Sequence, residues 1–186
     1  MKTSLTNLLI VGVAAEIIIF LLSYFLQDTT PDTFRLAARY SGRLSAFVFL
    51  YTFFLYARSH PKPLADNIQV RQFIQLFAIL HLIHFGFLAM SVYLNAIPLE
   101  TVKVIGGALA YSMIVLAPFL LHKVKPWGQM VYFYYVSLVM ILTYVARIKG
   151  EFEGAATTWV HFAVFGTLLI AAVVFGVQIR RNVKYS

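Results

Sequence analysis

Long apolar runs separated by short polar connections make up almost the whole chain. Six of them reach the ~20 residues that a helix needs to cross the hydrocarbon core of a bilayer. They lie at about 7–26, 36–58, 72–95, 101–122, 127–147 and 157–179. The connections are short, and none could hold a domain of its own. Residues 1–186 are therefore expected to form one all-α unit, a six-transmembrane-helix antiparallel bundle. The first run has a weak basic head, Lys2 alone. It is followed by Gln27-Asp28-Thr29-Thr30-Pro31 with no small-x-small cleavage pattern, so it is expected to stay as a membrane span.

Composition agrees with this pattern. The chain is 61% hydrophobic and 12% charged, with a mean hydropathy of +0.81, which belongs to an integral membrane protein in a lipid bilayer. A net charge of +8 would suggest nucleic acid in a soluble protein, but here the basic residues report topology, and no nucleic-acid partner is expected. Counting by alternate connections puts Lys2, Arg58, Lys62, Arg71, Lys123, Lys125, Arg180, Arg181 and Lys184 on one side, against Asp66 alone. The other side has Arg35, Lys103, Arg147 and Lys149 against Asp28, Asp32, Glu100, Glu151 and Glu153. The positive-inside rule then predicts both termini in the cytoplasm, in the plasma or inner membrane if the source is bacterial.

That orientation gives each polar residue inside a span a depth. Arg39 and Arg43 lie one and two turns below the outer surface, on one face of the second helix. Two arginines so placed call for an anion inside the protein. Ser41, Gly42 and Ser45 beside them would let a helix or a flat ligand come close. His81 and His84 share a face of the third helix near the midplane, with Gly86 and Ala89 leaving room beside them. Glu16 lies mid-span in the first helix, where a neutral carboxyl bonded to a neighbouring helix is the simpler expectation and a proton relay the other. Gly106-Gly107, Ala108 and Ala110 predict a close-packing surface on the fourth helix, and Pro118 a kink in its cytoplasmic half. Trp127 and Trp159 suit the two interfaces, and His161 comes half a turn below Trp159. The tyrosines of the fifth helix, Tyr132, Tyr134, Tyr135 and Tyr144, lie too deep for one aromatic belt and suit packing, internal hydrogen bonds or the wall of a flat cofactor.

The buried set thus combines two arginines, two or three histidines and small residues in the outer half of the bundle. A b-type haem needs all of these: two facing imidazoles, small residues where the ring passes, and cations for its propionates. His84 and His161 would ligate the haem iron, His81 replacing His84 if the register differs, with Arg39 and Arg43 on the propionates. The competing expectation is a non-enzymatic transporter or membrane assembly protein. There Glu16, Arg39, Arg43, His81 and His84 would make a polar core or a proton or anion path.

The run Leu36-Ala37-Ala38-Arg39-Tyr40-Ser41-Gly42-Arg43-Leu44-Ser45-Ala46, then Ala57-Arg58, then Arg71 leading into a histidine-bearing helix, resembles the ferric-reductase-like transmembrane domain. The resemblance covers residues 35–95 and implies a haem b electron-transfer subunit of an oxidoreductase. Members of that group typically carry paired histidines on the third and fifth helices, and this chain has neither pair, so it implies one haem at most. No flavin or nicotinamide segment occurs in the 186 residues, so electrons would come from a redox partner protein or from quinol, and a quinone site is faintly favoured by the tyrosine-rich fifth helix. The absence of cysteine excludes thiolate metal sites and thiol catalysis, and there is no glycine-rich phosphate loop and no HExxH motif.

Overall fold

The computed structural model describes residues 4–60, 62–98, 100–150 and 158–184. Among them are six α-helices and no strand. They are α1 (Leu5–Leu26), α2 (Thr30–Ser59), α3 (Ile68–Leu94), α4 (Thr101–Leu120), α5 (Pro126–Ile148) and α6 (Trp159–Lys184). Short 3₁₀ turns at Leu64–Asp66 and Leu121–Lys123 precede α3 and follow α4. Five of the helices are long and apolar enough to cross a membrane, which makes this an integral membrane protein. Lys2, Glu151 and Glu153 of the charge count, and the predicted sixth-helix start at Thr157, lie outside the described residues.

The helix that does not qualify by hydropathy is α2, because Asp32, Arg35, Arg39 and Arg43 all fall in its first half. Its position explains how it tolerates them. It packs against α1, α3 and α6, and its buried residues run from Thr33 to Ala57. It also starts six residues before the apolar pattern predicts. Thr29 accepts a hydrogen bond from the Asp32 amide at 3.3 Å, Pro31 fits the first turn, and Asp32 places a carboxylate at the helix N-terminus. A cap followed by proline is a start signal that an apolar-run count passes over. Asn67 does the same for α3, accepting from the Val70 amide at 3.1 Å, and so moves that start back to Ile68.

Two halves of the bundle differ in chemistry. Toward the C-terminal end of α2 the core is aromatic and dry. Phe53 and Phe133 stack at 5.0 Å, Tyr56 stacks on Phe133 at 4.5 Å, and Phe49 and Phe77 close the cluster at 5.2 Å. The tyrosines of α5 fasten it to its neighbours, with Tyr134 donating to the Ala172 carbonyl at 3.0 Å and Tyr135 to the Gly106 carbonyl at 3.2 Å. A Cβ built at Gly106 or Gly107 would meet nothing within 4 Å, so of the expected close-packing surface on α4 it is Ala110, 3% exposed, that is buried. The close approach of α1 to α3 occurs instead at Gly12, under Leu76 and Leu80.

The other half begins with a polar clamp at the head of α2. Arg35 bonds Asp32 at 2.8 Å and donates to the Asn95 side-chain oxygen, while Asn95 donates to the carbonyls of Ser91 at 2.8 Å and Pro31 at 3.2 Å. This fixes the start of α2 against the end of α3. Replacing Asn95 by leucine leaves three polar groups to find other partners, and should cost about 1–3 kcal/mol. Equilibrium unfolding in mixed micelles, followed by helicity, measures that loss.

Candidate functional site

Past the clamp, α2 presents Ala38, Ser41, Gly42 and Ser45 to its neighbours within two turns, and these positions organise the polar residues of the bundle. Ser41 and Ser45 are completely buried. His81 of α3 meets Ser45, with Oγ 2.6 Å from Nδ1. Its ring stacks on Tyr111 of α4 at 4.8 Å and lies 5.4 Å from the His84 ring. His84, one turn on, packs onto Gly42. A Cβ built at Gly42 would stand 2.9 Å from His84 Cε1, so the missing side chain is the space the imidazole uses. The small face expected to let a helix or a flat ligand come close admits α3, whose His84 fills it.

The arginines and the last histidine come together on the same level. Arg39 and Arg43 of α2 and Arg147 of α5 lie within electrostatic reach of one another. All three act on His161 of α6, and Arg147 acts on His84. Arg43 also lies over the Tyr40 ring, 5.2 Å from its centroid. Of the predicted site residues, His84, His161, Arg39 and Arg43 are thus brought into one basic cluster spread over α2, α3, α5 and α6. His81 stands beside it, one turn away through His84.

Arg147 was not singled out by its sequence position, where it reads as a charge in a connection between spans. The signal was present, however. It closes the last turn of α5, three residues after buried Tyr144, and comes within electrostatic reach of Arg39 and Arg43 of α2.

His161 is 1% exposed, and its hydrogen bonding fixes its chemistry. The Thr158 amide donates to His161 Nδ1 at 3.1 Å. A backbone N–H can only donate, so Nδ1 carries no proton, and the proton of the neutral ring is on Nε2. That Nε2 is buried and has no hydrogen-bond acceptor among the described residues. It is an N–H donor within electrostatic reach of three arginines and without an acceptor among the described residues. An axial histidine requires the reverse, a lone pair toward the metal and a second nitrogen that donates outward. In this arrangement His161 suits an oxygen acceptor better than iron.

Glu16 belongs to a different surface. It is 2% exposed, and it interacts with Ser41 rather than with the arginines. No group of three or more histidines and carboxylates converges among the described residues, so the conceivable metal set of Glu16, His81 and His84 is not assembled. The remaining histidines are peripheral. His60 caps α2, where burial holds its imidazole below the usual value, and His122 lies by Arg71 and Pro118 at the same end.

No family model, no curated protein and no solved structure matches the chain, so the site has to be read from its own chemistry.

Proposed function

We propose that this is a non-enzymatic membrane protein, a small carrier or assembly protein, whose polar core binds the carboxylate or phosphate of a ligand. The observation that carries the reading is His161: a buried Nε2–H donor with no acceptor among the described residues, in the field of Arg39, Arg43 and Arg147. A ligand oxyanion would complete the hydrogen bonding of that Nε2–H, and hydrogen bonds to a charged acceptor are the strong ones. In this reading all six helices span, α2 being sheltered by its neighbours. The basic connections near Arg58, Arg71, Lys123 and Arg180 lie in the cytoplasm together with both termini. The cluster then opens toward the outer leaflet.

A second reading is favoured by the presence of His84 and His161 in the same cluster. It is the haem b electron-transfer subunit that the ferric-reductase-like pattern implies, with the arginines on the propionates. It requires His161 to give up its bond from Thr158 and His84 to leave Gly42, which is why it ranks second.

One preparation tests both. The protein is purified from haem-replete cells into lipid nanodiscs, and melting is followed with added inorganic phosphate or acetate. A saturable rise in melting temperature, lost in Arg43→Leu, is the expected result. No rise with either anion overturns the anion reading. A Soret band with split α and β bands on dithionite reduction, lost in His161→Ala, would put the haem reading in its place.

A further inference from the structure

The side from which the basic cluster is reached narrows its ligand. His161 stands seven and fourteen residues before Leu168 and Phe175, and all three are buried on one face of α6. Phe175 meets Phe53 and Phe54 of α2, at 4.8 and 6.0 Å, so that face looks onto α2. The two helices run in the same direction, because Arg39 and Arg43 reach His161 at one end of the seam while Phe53 and Phe54 meet Phe175 further along both. Fourteen residues back from Phe54 and Phe175 are Tyr40 and His161, which the constant rise of a helix puts at one level.

Arg43 lies on the bilayer side of that seam. Its guanidinium stands 5.2 Å from the ring centroid of Tyr40, three residues nearer the start of α2, and that ring is 41% exposed. The side chain therefore turns outward along the helix, as an arginine does to reach headgroups, and ends at the level of His161. Trp159, exposed in the same turn of α6 as His161, is the residue type that marks a membrane interface. Below Arg43, Phe47, Tyr51 and Phe54 follow on one face of α2, and all three are exposed, Phe47 to 69%. A cation at headgroup level above an exposed apolar face matches an amphiphile with its anion at one end and its chain along the helix. A free anion would use the cluster and leave that face without a role.

His161 restricts the headgroup further. Its Nε2 is buried, so an oxygen meets it only at the tip of a small group, as the side chains beside it turn aside. A phosphate that ends in bare oxygens has that shape. Choline or ethanolamine beyond the phosphate would add bulk and bring a second cation toward Arg39, Arg43 and Arg147.

We infer that the cluster takes the terminal phosphate of a phosphatidate-type lipid, which enters from the bilayer between α2 and α6. The phosphate accepts from Arg43 and from His161 Nε2–H, and the chains lie along Phe47, Tyr51 and Phe54. The inference rests on the anion-binding reading above and names the molecule that carries the anion.

The test is native mass spectrometry of the full chain in micelles containing equal amounts of dioleoyl phosphatidic acid and dioleoyl phosphatidylcholine. The expected result is one phosphatidic acid retained per chain, enriched about tenfold or more over phosphatidylcholine, since a hydrogen bond to a charged group is worth about one to two factors of ten. Glycerol 3-phosphate, the same phosphate without chains, should displace it only at concentrations about a hundredfold higher or more. Arg43→Gln and His161→Leu should each lower the retention about tenfold, and Arg180→Gln, on the exposed basic end of α6, should leave it unchanged, with helicity melts confirming that each variant folds. Equal retention of the two lipids overturns the proposal. So does retention that survives both Arg43→Gln and His161→Leu, which means that the lipid is held elsewhere. Displacement by glycerol 3-phosphate at equal concentration also overturns it, and leaves the anion reading standing with a soluble ligand. If neither phosphatidic acid nor glycerol 3-phosphate binds, both readings fall. Should Arg43→Gln fail to fold, His161→Leu and the competition on the wild-type protein decide.

Discussion

Gly42→Leu should cost the protein most of the contact between α2 and α3, a loss of at least about 3 kcal/mol in equilibrium unfolding. The argument begins with the smaller change. Even an alanine Cβ would stand 2.9 Å from His84 Cε1 and 3.4 Å from both ring nitrogens, so the ring has to move. Alanine, however, returns up to ~1 kcal/mol in helix propensity, which offsets part of a clash of about 1–3 kcal/mol. Gly42→Ala is therefore expected to be only mildly destabilising. Leucine gains no more from propensity and adds three carbons where the imidazole already sits. A second substitution identifies the cause. His84→Ala in the Gly42→Leu background opens the occupied space and should recover a large part of the loss, with a coupling energy of about 0.5–3 kcal/mol. If Gly42→Leu melts like the wild type, His84 does not rest on α2 and the basic cluster is not built as described.

Such a packing partnership explains what the sequence could and could not convey. The six helices were legible because ~20 apolar residues in a row have one physical outcome in a bilayer. The ends were less so, since caps such as Thr29 and Asn67 act through single hydrogen bonds that no average over a window registers. Arg39, Arg43, His84 and His161 could be matched for depth, because rise per residue is constant along a helix. Rotation about each helix axis has no such rule. That is why Gly42 could be read only as a place where a helix or a flat ligand comes close, of which α3 takes the space through His84, and why Gly106-Gly107 was read as a packing surface although a Cβ at either position would meet nothing within 4 Å. Arg147 was hidden for a related reason. At a span end an arginine that turns inward and one that turns to water have the same sequence signature, and only the neighbours decide between them.

The tautomer of His161 was legible to no sequence argument, and it leads to the second large effect. His161→Leu should leave the ligand-free protein as stable as the wild type or more stable by up to about 2 kcal/mol, while weakening anion binding about 10- to 100-fold. Two terms favour the substitution without ligand. It removes an N–H donor that is buried with no acceptor among the described residues, a cost of about 1–3 kcal/mol, and it replaces a polar ring within electrostatic reach of three arginines by a side chain of similar bulk. One term opposes it, because the Thr158 amide loses its acceptor. Thr158 is only half-buried, however, so water can satisfy that amide at a smaller cost. With ligand present the balance reverses. The hydrogen bond from Nε2 to an oxyanion is worth about 1.5–3 kcal/mol, and each 1.4 kcal/mol is a factor of ten in affinity. Stability gained together with binding lost is the signature of a residue kept for a ligand. A structural histidine would give the opposite pair, a protein destabilised by 1–3 kcal/mol that still responds to phosphate, and that outcome would remove His161 from the site. Melting of the two proteins in nanodiscs, with and without phosphate, supplies all four values needed to choose.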